Sequence, residues 1–460
     1  MRCRGVFLSS FLKKPARVCA AGGLSDLICK CRCLPQNGFQ EKNSPTPQID
    51  QPVRIERNRY PVYNTDNNTP KSEIDQRIDK LKMQLEDNNI DAALIVQRAD
   101  LFYFTGTVQE AHLYVPVDGN SILLVFKSLE RAIAESPLSR IAPLDSPKDI
   151  IEILSQYGYV LPQSIGLELD VLPTNLYFNF QRLFAESNLV DISDLIRRVR
   201  AIKSPYEIEI VRTAAGLSDQ VAAQVPGLLH EGMTELELAG LVEAEARKLG
   251  HQGIVRMRMW GNEMFYGHLL AGPSAAVPSF LASPTGGTGA NPAVAQGPGF
   301  RPIQRHEPVL VDYVFALNGY YSDHSRIFSI GELPAELLAA HAAMLDVQAY
   351  IKKAARPGVK CGDIYDLALK RATELGYAKS FMGVGKKRIR FVGHGIGVEL
   401  DEFPFLAAGQ KLELQENMLL ALEPKLIFPE KGVVGIENVH VVTKDGLEQL
   451  GHYEENVIVI

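Results

Sequence analysis

Five polar side chains stand in stretches that otherwise read as buried: Asp312, Asp323, His394, Glu423 and Glu437. The two aspartates belong to VLVDYVFALNGYYSDHSRI, two β-prone runs joined by Asn318-Gly319. Asn-Gly between such runs predicts a two-residue hairpin with one aspartate on each strand. A carboxylate inside an apolar strand is costly to bury unless it is paired or bound to a cation. The pair therefore sits at solvated strand ends or meets a divalent metal. Three later segments decide for the metal: RFVGHGIGVELDEFP presents His394 between glycines, LLALEPKLIF presents Glu423, and VVGIENVHVV presents Glu437.

Two aspartates, two glutamates and one histidine form a hard, oxygen-rich donor set that suits Mn, Fe(II), Co or Zn rather than a structural thiolate site. Four carboxylates around one histidine carry enough negative charge for two divalent ions. Two metals about 3.5 to 4 Å apart can share and deprotonate a water at neutral pH. The chemistry implied is hydrolysis by a hydroxide shared between metals.

The elements that must position these residues fall into two parts. From Pro70 a helix is expected, capped by Ser72, with Ile74, Ile78, Leu81 and Leu85 at helical spacing and Asn88-Asn89 at its end. The runs AALIVQ, SILLVF and IGLELD then alternate with polar or helical segments such as 149–157. That alternation argues an α/β domain over residues 71–203 with a largely covered sheet. Ser204-Pro205 opens a second part, 204–460, beginning with a helix whose stripe is Ile208, Val211, Ala215, Leu217 and Val221.

Within the second part, Gly232-Met-Thr-Glu-Leu leads to Leu249-Gly250, and Gly358-Val-Lys-Cys-Gly leads to Leu375-Gly376. The matched glycines at both ends predict two related halves, with the closing glycine left-handed. The segment GIVRMRMW is expected as a strand with Arg256, Arg258 and Trp260 on one face. That face is either solvated or a wall that reads a substrate carboxylate. Residues 283–299, rich in Gly and Pro, lack a P-loop ending and are expected as a lid-like loop.

Composition excludes other classes. Apolar content of 46% and charged content of 22% belong to an ordinary globular protein, and the net charge of -6 with no basic stripe argues against nucleic acid. No apolar run approaches the roughly 20 residues that span a bilayer, so a soluble, cytoplasmic protein is expected. Five of the six cysteines lie in the first 34 residues, leaving Cys361 alone in the body, which suits a reducing compartment. The basic start of the chain reads as an upstream extension or an organellar transit segment. Residues 34–70, rich in Pro, Asn, Gln and Thr, read as a linker, so 1–70 carries no core of its own.

The order Asp, ten residues, Asp, then GHGIG, then an apolar strand ending EP, then IEN resembles the dinuclear M24 metallopeptidases of the pita-bread fold. These include Xaa-Pro aminopeptidases and prolidases, with creatinase as a metal-free relative. Residues 71–203 resemble the creatinase/prolidase N-terminal α/β domain, and 204–460 the α+β pita-bread domain with its pseudo-twofold repeat. The resemblance implies two divalent metal ions, manganese first among them, with Asp312 on the first and Asp323 and Glu437 bridging. His394 and Glu423 would complete the second, Glu423 also serving as acid/base. It implies hydrolysis of small peptides from the N-terminus, as an Xaa-Pro aminopeptidase or dipeptidase, in a homodimer formed through the N-terminal domain.

Three positions depart from the family pattern. Asp401 stands where a histidine normally donates to the scissile carbonyl, and an aspartate can do so only when protonated. Ser279 stands where a second substrate-site histidine is expected, with His268 as the candidate replacement, and Lys425 replaces a glycine at the expected substrate rim. These departures motivate an alternative, a pita-bread lyase or hydrolase acting on a small non-peptide molecule. A non-catalytic binding module ranks last, because all five metal-ligand positions are retained.

Overall fold

The computed structural model describes residues 67–460 except 264, 265, 279, 281, 282 and the side chain of Lys387. The expectations for the first 66 residues, and for Ser279, lie outside the described residues. The first helix is Lys71–Asp87, and it buries Ile74, Ile78, Leu81 and Leu85 as their spacing requires. Its N-cap is Pro70 rather than Ser72, which falls inside the first turn.

Six strands follow: β1 (Ala92–Ile95), β2 (Ala111–Pro116), β3 (Ile122–Val125), β4 (Ile141–Pro143), β5 (Ser164–Leu167) and β6 (Asn188–Asp191). They form one sheet in the order β4-β3-β2-β1-β5-β6. The hairpins β1/β2 and β2/β3 are antiparallel, whereas β3/β4, β1/β5 and β5/β6 are parallel. Parallel pairing needs crossover helices over the faces, and every residue of β1 and β3 is buried accordingly. The last helix of this part, Ser193–Ala201, carries Arg200 into the interior.

Ser204 and Glu207 then form a complete capping box that starts the helix Pro205–Ala222. Each satisfies a backbone N–H that has no partner within the helix. Two further sheets build the remainder. One runs β17 (Ile458–Val459), β9 (Tyr320–Ser329), β8 (Val309–Leu317), β7 (Gly267–Ala271). The other runs β11 (Glu402–Ala407), β10 (Phe391–Gly395), β12 (Leu419–Leu422), β15 (Asn438–Thr443), β16 (Gly446–Gln449). A two-stranded ribbon, β13 (Lys425–Phe428) with β14 (Gly432–Gly435), completes the set.

The internal repeat is visible in the backbone. The helices Glu235–Lys248 and Cys361–Glu374 are each 14 residues long, and Gly232, Gly250, Gly358 and Gly376 all take positive φ. The entries to the two helices are held alike. Gly232 N–H donates to the Ile303 carbonyl and Glu235 to Arg301, while Gly358 donates to Leu414 and Cys361 to Leu412. Each half thus pins its helix N-terminus to an extended segment that follows later in the chain.

GIVRMRMW is not a strand: residues 254–258 run without helix or sheet assignment. They are tied instead by the Arg256 N–H donating to the Tyr321 hydroxyl and by Leu400 N–H donating to the Arg256 carbonyl. Among the described residues no helix is long and apolar enough to cross a membrane.

Candidate metal centre

The β8/β9 hairpin closes through Asn318 and Gly319, both at positive φ, as a two-residue turn of this kind requires. In its register Asp312 faces Ser325 and Val314 faces Asp323. Asp312, Ser325 and Asp323 therefore share one face of the sheet, since side chains alternate with period two.

Glu437 joins them directly. It precedes β15 and bridges Ser325, whose backbone and hydroxyl both bond to it, the hydroxyl donating to Glu437 Oε2 at 2.8 Å. Behind the pair, the fully buried Arg326 donates to the Glu437 carbonyl and to Asn438 Oδ1, fixing the strand that carries the glutamate. His394 lies in β10 between β11 and β12. A Cβ on Gly393 would strike the Ala421 carbonyl and one on Gly395 the Phe403 carbonyl, so GHG is what close packing on both sides of the histidine demands. Glu423 follows β12, held by its N–H to the Val392 carbonyl at 3.0 Å.

All five predicted metal ligands line one pocket together with His268, Asp401, Lys425, Met257, Met259 and Leu400. Its cavity of ≈ 70 Å³ holds a cation with a water or two, each water taking about 30 Å³ in the liquid. Two positions within it suit a cation. At the first, Asp323 Oδ2, Glu423 Oε1 and Glu437 Oε1 stand 3.8, 3.9 and 4.0 Å from His394 Nε2. One ligand atom each from Asp323, His394 and Glu437 lie within 4.8 Å of one another, and this buried donor set fits a divalent ion.

The second position holds an ammonium. Lys425, at the start of β13 and 1% exposed, donates to Asp312 Oδ2 at 2.9 Å, Glu423 Oε2 at 2.8 Å and Glu437 Oε2 at 2.8 Å. The substrate-rim expectation for this residue is thereby corrected: the side chain turns inward because three buried carboxylates attract it. Burial raises the Asp323 carboxyl well above its usual range, and Glu437 and Asp312 add to that against Lys425. Glu437 is pushed up to about 7 by burial, with Lys425 opposing. Burial alone would lower His394, but Asp401, Glu423 and Glu437 outweigh it and raise its pKa.

Asp401 Oδ1 lies 3.5 Å from His394 Nδ1. The ring is oriented by the Gly395 carbonyl, 3.0 Å from the same nitrogen, while Asp401 adds negative charge beside it. His268 is paired with Asp312 across β7/β8, and its Nδ1 is 3.3 Å from Thr285 Oγ1. Burial lowers its pKa, with Asp312 opposing and Lys425 acting in the same direction as burial.

The two predicted arginines are not part of this pocket's lining. Met257 and Met259 line the pocket, whereas Arg258 is drawn to carboxylates of the α/β domain. Its guanidinium is committed to Asp170 at 2.6 and 2.9 Å and to Asp100 at 2.7 Å. Arg200 meets Asp100 and Glu402 at 2.5 Å each and Glu399 at 2.8 Å, and Lys203 meets Glu402 at 3.0 Å. This cluster joins the six-stranded sheet domain to the loop 399–402, and so sets Leu400 and Asp401 against the pocket. Sequence reasoning overlooked Ser325, Arg326 and the two methionines. The signal available for them was adjacency to Asp323 and the unused apolar face of GIVRMRMW.

Comparison with known proteins finds relatives for both parts of the chain. The profile of metallopeptidase family M24 matches residues 209–444, and that of the creatinase/prolidase N-terminal domain matches 77–202. The Xaa-Pro dipeptidase of Pyrococcus furiosus is 26% identical over 389 residues, covering 83% of this chain and 99% of its own length. Among solved structures, the X-Pro aminopeptidase from Thermotoga maritima is similar with a TM-score of 0.70 at 23% identity, over 83% of this chain and 99% of that one. An Xaa-Pro dipeptidase from Bacillus anthracis gives 0.72 at 21% identity, over 84% and 100%. The fold is the creatinase-type α/β domain followed by the α+β pita-bread domain.

Proposed function

Because the chain belongs to metallopeptidase family M24, we propose that it hydrolyses small peptides from the N-terminus, with proline in the second position, as an Xaa-Pro aminopeptidase or dipeptidase. The observation that carries this reading is the convergence of Asp312, Asp323, His394, Glu423 and Glu437 on one buried pocket. The similarity to proteins described as Xaa-Pro dipeptidases supplies the substrate class.

Asp323, His394 and Glu437 would hold a divalent ion, which would supply Lewis acidity and lower the pKa of a bound water. Manganese suits the hard donor set. Glu423 Oε1, the oxygen that does not accept from Lys425, is assigned to take the proton of the attacking water. Asp401 adds negative charge beside His394, whose Nδ1 is held by the Gly395 carbonyl. His268 lines the pocket on the Asp312 side and is assigned to contact the substrate.

The test is release of free amino acid from a panel of Xaa-Pro dipeptides and longer peptides by protein reconstituted with Mn, Co or Zn. Turnover that disappears in Asp323→Asn supports the assignment. No turnover with any peptide and any of these metals contradicts it.

A further inference from the structure

Lys425 uses all three N–H donors of its ammonium, each on a different carboxylate, at 2.8 to 2.9 Å. The same two glutamates that accept it through Oε2 turn Oε1 toward His394 Nε2. Glu423 and Glu437 therefore bridge two cationic positions about one carboxylate apart. Asp323 and His394 serve one of them, while Asp312 and Lys425 serve the other.

We propose that the Lys425 ammonium is a resident substitute for the second metal, so that this chain binds one divalent ion where the resemblance implies two. The inference rests on the metal-dependent reading given above. A cation among Asp312, Glu423 and Glu437 would have to displace the ammonium or share its carboxylates at short range, and like charges there repel. The side chain has no simple exit, since the residue is 1% exposed and its backbone is paired with Gly435 in β13/β14. The ammonium also does part of what a second ion would do. It orients the outer oxygens of both glutamates and neutralises charge beside Asp312, while leaving the Asp323–His394–Glu437 position open.

The test counts ions, independently of activity. Full-length protein stripped of metal is titrated with Mn²⁺ by isothermal calorimetry, and bound metal is measured by elemental analysis after dialysis. One ion per chain is expected for the native sequence and for Lys425→Arg, which keeps the charge. Two are expected for Lys425→Ala, which frees three carboxylates, with Lys425→Gly as a second opening variant should alanine fold poorly. Two ions in the native chain overturn the inference, as does a Lys425→Ala protein that folds and still saturates at one, or a native chain that binds none. The two readings fail separately. Two ions with peptide turnover would remove the substitution and leave the peptidase, whereas one ion without turnover would remove the peptidase and leave the substitution.

Discussion

The cluster around Arg200 and the cluster around Lys425 are both made of deeply buried acids and bases, and they are balanced differently. At the domain junction Asp100, Glu399 and Glu402 share Arg200, Arg258 and Lys203, and Asp170 takes the outer edge of Arg258. Burial would raise Glu402, but Arg200 and Lys203 hold it down at about 2, and Arg200 and Arg258 do the same for Asp100, leaving Glu399 as the junction acid that burial still raises. In the pocket Asp312, Asp323, Glu423 and Glu437 share one lysine and one histidine. There burial and mutual repulsion win, and Asp323 and Glu437 are driven upward. A cluster with three bases for its four acids, as at the junction, needs no further cation to hold Asp100 and Glu402 ionised. One left short of positive charge is a site for a cation.

The largest separation between the two should come from removing one acid from the pocket. Asp323→Asn is expected to abolish peptide hydrolysis while the metal-free protein unfolds at the same or a higher denaturant midpoint, because repulsion is relieved. A drop in midpoint comparable to a junction variant would break the contrast. Removing one base from the junction should act in the opposite way. Arg200→Leu takes one of two cationic partners from each of Asp100, Glu399 and Glu402 and is expected to cost about 3 to 5 kcal/mol in equilibrium unfolding. A cost near zero would mean that the junction acids find other partners.

Acid should expose the same asymmetry. The folded pKa of Glu402 lies below its usual 4.5, so its ionised form stabilises the fold. That contribution, about 3 kcal/mol for this shift, is complete above about pH 5 and is lost as pH falls toward 2. Unfolding midpoints across that range should fall steeply in the native chain and less steeply in Glu402→Gln. The smallest effect is expected at Asp401, whose carboxylate lies 3.5 Å from His394 Nδ1. Asp401→Asn should weaken Mn²⁺ binding about 10- to 100-fold without changing the number of ions bound, as read by calorimetry.

What was legible beforehand follows the range of the interactions. Asn318-Gly319 announces the hairpin because turn chemistry is local, and Ser204-Pro205 announces its helix for the same reason. The glycine-bounded repeat is legible because Gly232 and Gly358 mark the same backbone requirement in each half. The failures are long-range. GIVRMRMW has the composition of a strand, yet it is not one, and where Arg258 goes depends on Asp100 and Asp170, far away in the chain. Lys425 reads as a rim residue until Asp312, 113 positions earlier, is placed opposite its ammonium. Ser72 has the chemistry of a cap, but Pro70 already fixes where the helix begins.

Crystals soaked in Mn²⁺ and measured at an anomalous wavelength test the two-cluster picture most directly. A single strong peak is expected within ligand distance of Asp323, His394 and Glu437, with Lys425 still joined to Asp312, and no peak is expected at the junction. A second peak of comparable strength beside Asp312, or no peak at His394, would contradict it.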